Sequence, residues 1–225
     1  MSKVKLIIFD CDGVLVDSEM IVTNHLVRCL SDHGYHICSE DWIKRFTGKT
    51  DQLIYHEINA EMQKPVITNT VIKKMQQQIH SLLYKEVRAT PGIEEVFTHV
   101  QKIGISMCVA SSGTIEKINN SLTVTGLNTY FQPKHLFSAQ SVKQGKPAPD
   151  LFLFAAKQMG FQPQDCLVIE DSVAGIKAAS SAGMKVLGFI GGSHAKYAWY
   201  EHNIRAFNIP IANNATELLD FLIKL

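Results

Sequence analysis

The run Leu6-Ile7-Ile8-Phe9 leads without a break into Asp10-Cys11-Asp12-Gly13. A short, continuous apolar run of this kind predicts a strand buried on both faces, as in a parallel sheet. Ligands of such sheets sit beyond the carboxyl ends of the strands, which is where Asp10 and Asp12 fall. Gly13 lets the backbone turn tightly and leaves room for a ligand. Two carboxylates this close repel, and burial raises the cost of ionising both. A cation can hold one as the carboxylate while the other keeps a proton, so a nucleophile and an acid/base fit on one loop. D-x-D by itself also fits a solvated acidic loop after a strand.

Residues 19–86 read as helices throughout. Val22, Leu26, Cys29, Leu30 and His33 mark one helical face, with Gly34 as its stop. Ser39 is placed to cap a short helix with Glu40 and Asp41 in its first turn, where the helix dipole favours acids. The stretch Phe46-Thr47-Gly48-Lys49-Thr50 breaks that helix, and a third segment runs on to Pro65. Thr68 can cap a long helix with Val71, Ile72, Met75, Ile79, Leu82 and Leu83 on one face. Beyond residue 90, strands expected at 105–110, 136–138, 166–169 and 186–190 alternate with helices. Those helices are opened by Pro91, Thr114, Asp150 and Ser172, and a last one is capped by Thr216. Alternation of this kind predicts an α/β fold with a doubly wound parallel sheet, here carrying an all-helical insertion after the first strand.

The 225 residues suffice for a full core and a smaller second domain. Twenty-two Lys+Arg against 21 Asp+Glu leave no basic excess of the kind nucleic-acid binding needs. No signal peptide precedes the first strand and no apolar run is long enough for a bilayer, so a cytoplasmic protein without a membrane partner is expected. The five cysteines, at 11, 29, 38, 108 and 166, show no metal-finger spacing. Cys11 reads as a spacer pointing away from the aspartates, and Cys108 and Cys166 as buried thiols.

Three further stretches carry chemistry. Val109-Ala110-Ser111-Ser112-Gly113-Thr114 puts hydroxyls where a strand gives way to a helix. Helix-terminal N–H groups and a hydroxyl there can hold a phosphate, although an N-cap serine also fits. In Gly145-Lys146-Pro147-Ala148-Pro149-Asp150 prolines stiffen the loop that carries Lys146. A fixed ammonium can bind phosphate and balance Asp10. Val168-Ile169-Glu170-Asp171-Ser172 again delivers two acids to a strand end. Hard oxygens from two strand ends suit Mg²⁺, and acids ahead of a helix also suit its dipole.

Taken in order, D-C-D-G with D-S, the strand ending in Ser111, K-P-A-P-D-L-F and E-D-S-V-A-G-I resemble the four motifs of the haloacid dehalogenase superfamily in its phosphatase branch. The resemblance spans essentially the whole chain. It is nearest to the β-phosphoglucomutase-like and phosphoglycolate phosphatase-like subgroup with a helical cap. It implies a Rossmann-like core from residues 1–17 and 88–225 and a cap from 18–87. It implies that Asp10 attacks phosphorus and that Asp12 protonates the leaving oxygen and then deprotonates the water. Ser111 and Lys146 would hold the phosphoryl oxygens, with Ser112 and Gly113 beside them. Mg²⁺ would be held by Asp10, the Asp12 carbonyl and Asp171, with Glu170 as ligand or as a partner behind them. Gly48 and Lys49, in a turn between cap helices, would touch the leaving group, and a cation there would favour a substrate carrying a carboxylate. The expected substrate is a small phosphorylated metabolite such as a sugar phosphate, a sugar-acid phosphate or phosphoglycolate, and the expected state is a monomer.

Asp12 disfavours a dehalogenase, which needs no acid there, and a phosphonoacetaldehyde hydrolase, which lacks it. A β-phosphoglucomutase would carry a histidine where Val22 stands and an arginine where Asp51 stands. His25 lies one turn further on and reads as facing solvent. A phosphoaspartate signalling receiver would present the acids and the phosphoacceptor in the reverse order and without a helical insertion. A silent binding module would be expected to damage one of the four motifs.

Overall fold

The computed structural model describes residues 4–47 and 51–225, excepting the side chains of 51–53. Strand β1 (Leu6–Phe9) is wholly buried, and each of its side chains contributes roughly 1.5–3 kcal/mol of transfer free energy. Its alternate residues face two different cores. Leu6 and Ile8 belong to one, with Leu151 and Phe152 of α7 (Asp150–Met159) and Ile176 and Ala179 of α8 (Val173–Ser181). Ile7 and Phe9 belong to the other, with Phe97 of α5 (Ile93–Lys102), Leu122 of α6 (Ile115–Val124) and Leu218 of α10 (Ala215–Ile223).

The sheet adds β2 (Ser106–Ser111), β3 (Leu136–Ser138), β4 (Cys166–Glu170), β5 (Lys185–Phe189) and β6 (Ile211–Ala212). All pairs are parallel and the order is β3-β2-β1-β4-β5-β6. This is the doubly wound, Rossmann-like arrangement, and its order reverses between β1 and β4. Phe9 is in register with Val109 of β2 and Ile169 of β4, so the residues that follow all three emerge side by side.

Four helices lie between β1 and α5: α1 (Glu19–Asp32), α2 (Ser39–Phe46), α3 (Asp51–Glu61) and α4 (Asn69–Glu86). No strand occurs there among the described residues. The outgoing and returning chains are tied together: Asp17 N–H donates to Arg88 O at 3.0 Å and Thr90 N–H to Leu15 O at 2.9 Å. The helix α9 (Ala198–Arg205) reaches α2 through Trp199 Nε1, which donates to Glu40 Oε1 at 2.9 Å. Among the described residues no helix is long and apolar enough to cross a membrane.

Some caps differ from expectation. Cys38, not Ser39, caps α2, its Sγ accepting from Asp41 N–H at 3.4 Å, while Ser39 Oγ donates to Asn24 Oδ1. The last helix is capped by Asn214 rather than Thr216, through a 3.0 Å bond from Glu217 N–H. Pro91 precedes α5 instead of entering it, because Gly92 stands at the N-cap with φ +82°. Thr68 and Thr114 cap as expected, and Ser172, expected as the first residue of its helix, is the N-cap of α8.

Candidate active site

Asp10 leaves β1 at the reversal of strand order, and its N–H donates to Ile169 O of the neighbouring β4 at 3.0 Å. Its carboxylate is buried against Lys146, whose Nζ lies 2.5 Å from Asp10 Oδ1 and 2.6 Å from Glu170 Oε1. The ammonium also donates to Ala110 O at 3.2 Å and stands 5.0 Å from the centre of the Phe152 ring. Lys146 is thus fixed on several sides. Burial alone would lower its pKa, but Asp10 and Glu170 outweigh burial and raise it.

Glu170 is completely buried, and its Oε2 accepts from Ser172 N–H at 2.8 Å and Ser172 Oγ at 2.9 Å. A Cβ on Gly175 would lie 1.8 Å from Glu170 Oε1, so the glycine of E-D-S-V-A-G makes room for that carboxylate. Asp171 follows, its Oδ2 facing His194 Nε2 at 2.9 Å, while Tyr200 OH donates to Asp171 O at 3.2 Å. Gly13 has φ +81°, and a Cβ there would lie 2.0 Å from Asp171 Oδ2. Both the turn and the approach of the carboxylate therefore require glycine.

Oxygens of Asp10, Glu170 and Asp171 lie within 4.8 Å of one another, all on buried residues. Burial raises the pKa of Asp10 well above the ordinary carboxylate range; Lys146 pulls it down, while Glu170 and Asp171 push it further up. Glu170 is raised as well, chiefly by burial. Crowded, buried hard oxygens with one ammonium among them fit a divalent cation, Mg²⁺ in particular.

Asp12 sits in different surroundings. Ser18 Oγ donates to its Oδ1 at 2.5 Å and Lys117 Nζ lies 2.9 Å from the same oxygen. Burial pushes its carboxyl up, but Lys117 and Ser18 outweigh it and hold the group below its usual value. Ser111 is buried at the end of β2, its Oγ accepting from Gly113 N–H at 3.1 Å. Gly113 in turn borders Asp12, since a Cβ on it would lie 3.7 Å from Asp12 Oδ2. Ser112 is exposed. Cys11 is buried between the aspartates, and burial raises its thiol well above the ordinary value, as suits a spacer.

The fold therefore gathers Asp10, Lys146, Glu170 and Asp171, with Asp12, Ser111 and Gly113 alongside. Gly48 and Lys49 lie outside the described residues. His25 is half-buried rather than solvent-facing, with Nε2 3.2 Å from Cys29 Sγ. Sequence reading missed Lys117 and His194. Lys117 was discoverable as a lysine in the first turn of a helix that begins just after Ser111-Ser112-Gly113; His194 had no local signal.

Residues 7–189 match the family of haloacid dehalogenase-like hydrolases. A 6-phosphogluconate phosphatase of Escherichia coli K12 is 31% identical over 196 residues, covering 87% of either chain. A conserved haloacid dehalogenase-like protein of unknown function from Agrobacterium tumefaciens C58 superposes with a TM-score of 0.85 at 32% identity over 98% of both chains. A HAD family hydrolase from Deinococcus radiodurans R1, solved with bound phosphate and sodium, gives a TM-score of 0.78 at 26% identity, over 97% of this chain and 94% of that one. With the four motifs converging at the carboxyl edge of one sheet, the chain belongs to the haloacid dehalogenase-like hydrolases.

Proposed function

We propose that this phosphoric monoester hydrolase is a Mg²⁺-dependent phosphatase of small phosphorylated metabolites, working through an aspartyl-phosphate on Asp10. The observation that carries this reading is Asp10 itself: a buried carboxylate held between a fixed ammonium and two further acids. Phosphoryl transfer needs an in-line nucleophile and charge neutralisation more than elaborate covalent chemistry. Asp10, Asp171, Glu170 and the Asp12 carbonyl would hold Mg²⁺, which when bound supplies positive charge to the transferring phosphoryl group. Lys146 and Ser111, with Ser112 and Gly113, would bind the phosphoryl oxygens. Asp10 attacks phosphorus; Asp12 gives a proton to the leaving oxygen and later takes one from the water that frees Asp10. Lys117 and Ser18 favour the carboxylate form of Asp12 in the resting protein, so the proton it gives in the first half-reaction is one taken up with the substrate, from the phosphate monoester monoanion, and the carboxylate left behind is the base of the second half-reaction.

Residues 1–17 and 88–225 form the catalytic core in this reading and 18–87 the cap. Gly48 and Lys49 are proposed, from sequence alone, as the contact to the leaving group. Relatives named 6-phosphogluconate phosphatase, hexitol phosphatase and fructose-1-phosphate phosphatase support a sugar or sugar-acid phosphate as substrate. The test is a panel of phosphorylated sugars, sugar acids and phosphoglycolate, scored by kcat/KM for phosphate release with Mg²⁺. Release from at least one is expected. Phosphate moving between carbons of a sugar without release would make the enzyme a mutase, and no turnover at all would refute the reading.

A further inference from the structure

The segment Gly191–Lys196 after β5 brings a histidine to the acidic cluster from outside the four motifs. Ser193 pins the segment: its N–H and Oγ both donate to Asp17 Oδ1, at 3.2 and 2.7 Å. His194 is 2% exposed, with Nε2 2.9 Å from Asp171 Oδ2 in a close polar contact that is not aligned as a hydrogen bond. Its ring has little freedom. Tyr200 stands edge-on with centroids 5.0 Å apart, and added Cβ atoms on Gly13 and Gly192 would lie 2.8 and 2.7 Å from His194 Cε1. Two glycines thus clear the space that this imidazole fills.

Asp171 Oδ2 is wedged between that ring and Gly13. Among the described residues its Oδ1 has no protein partner. A carboxylate held in this way offers a cation one oxygen rather than two. Mg²⁺ demands compact octahedral geometry with single oxygens from carboxylates, whereas Ca²⁺ is larger and readily accepts both oxygens of one.

We propose that His194 is a positioning residue that confines Asp171 to one-oxygen coordination and so favours Mg²⁺ over Ca²⁺. This rests on the metal-dependent reading above and extends it to a residue outside the four motifs. Groups that hold a ligand from behind typically change metal affinity by about 10–100-fold when removed.

Calorimetric titration of the full chain with Mg²⁺ and with Ca²⁺ tests it without using activity. The variants are His194→Gln, which keeps a polar group able to face Asp171, and His194→Leu, which keeps bulk and removes the polar contact. His194→Asn, whose amide falls one methylene short, stands in for Leu should that variant not fold. Leu or Asn should bind Mg²⁺ at least tenfold more weakly and lose preference for it over Ca²⁺, while Gln stays within about threefold of wild type. Equal behaviour of Gln and Leu (or Asn), or an unchanged Mg²⁺/Ca²⁺ ratio in all variants, would overturn the role of His194 alone. A wild-type protein that binds no Mg²⁺ would instead bring down the metal reading together with this one.

Discussion

Asp10 and Asp12 are separated by a single residue yet meet opposite surroundings. Lys146 and two acids surround the first, while Lys117 and a serine hydroxyl hold the second. Their substitutions should therefore fail differently. Asp10→Asn keeps the shape and removes the proposed nucleophile, so turnover should fall by about 10³-fold or more. Residual activity of a few per cent in a protein free of contaminating phosphatase would remove Asp10 from that role. Asp12→Asn should cost about 10²–10⁴ with an alkyl phosphate and less with nitrophenyl phosphate, whose leaving group needs little protonation. Equal losses on the two substrates, with phosphoenzyme formation limiting, would argue that Asp12 only positions its neighbours. Lys117→Met should show the same substrate dependence in weaker form, because it acts through Asp12. The aspartates, Lys146 and the Glu170–Asp171 pair were legible because each sits in a local string. His194 was not, and Lys117 only by its place in the first turn of α6: their importance lies in what the fold places opposite them.

Among the elements, punctuation by glycine and by Thr or Ser caps carried most of the reading. Gly34 follows α1 with φ +84° and Gly160 ends α7 with φ +80°, and the apolar strand runs lie where expected within a residue or so. The segment between β5 and α10 went unread. Its strand β6 has two residues, too few for any alternation, and α9 is only eight residues long. At α2 two neighbouring polar residues competed and a tertiary partner decided, since Asn24 takes the Ser39 hydroxyl. Gly175 shows an element that answers to chemistry rather than to propensity. Alanine favours a helix over glycine by about 1 kcal/mol, yet its methyl would collide with Glu170. Gly175→Ala should therefore destabilise the protein by about 1–3 kcal/mol in urea unfolding, against the propensity gain, and weaken Mg²⁺ binding. A more stable variant with unchanged Mg²⁺ affinity would show that the carboxylate relocates freely.

For the whole molecule, the acidic cluster is a fault placed inside an otherwise consistent fold. Three buried carboxylates meet at the ends of β1 and β4, with one lysine between two of them and one histidine on the third. These groups come together only in the folded chain, so a cation bound there stabilises the native state alone. At a hundredfold excess over Kd that linkage amounts to about 2.7 kcal/mol, or roughly 5–10 °C in Tm for a chain of this size. Mg²⁺ should therefore raise the Tm of the wild type by that much, and Asp171→Asn should lose most of the shift. The metal-free protein gives the complementary expectation. Because burial holds the Asp10 carboxyl well above its unfolded value, ionising it costs stability as pH rises through the unfolded value, and at neutral pH the native state bears that cost. Asp10→Asn removes the charge, and Lys146 keeps Glu170 as its partner. The metal-free variant should then melt above the metal-free wild type while responding less to Mg²⁺. A lower melting temperature for Asp10→Asn would mean that the Lys146–Asp10 pair stabilises the fold on balance, and that the burial of Asp10 is not where the molecule is stressed.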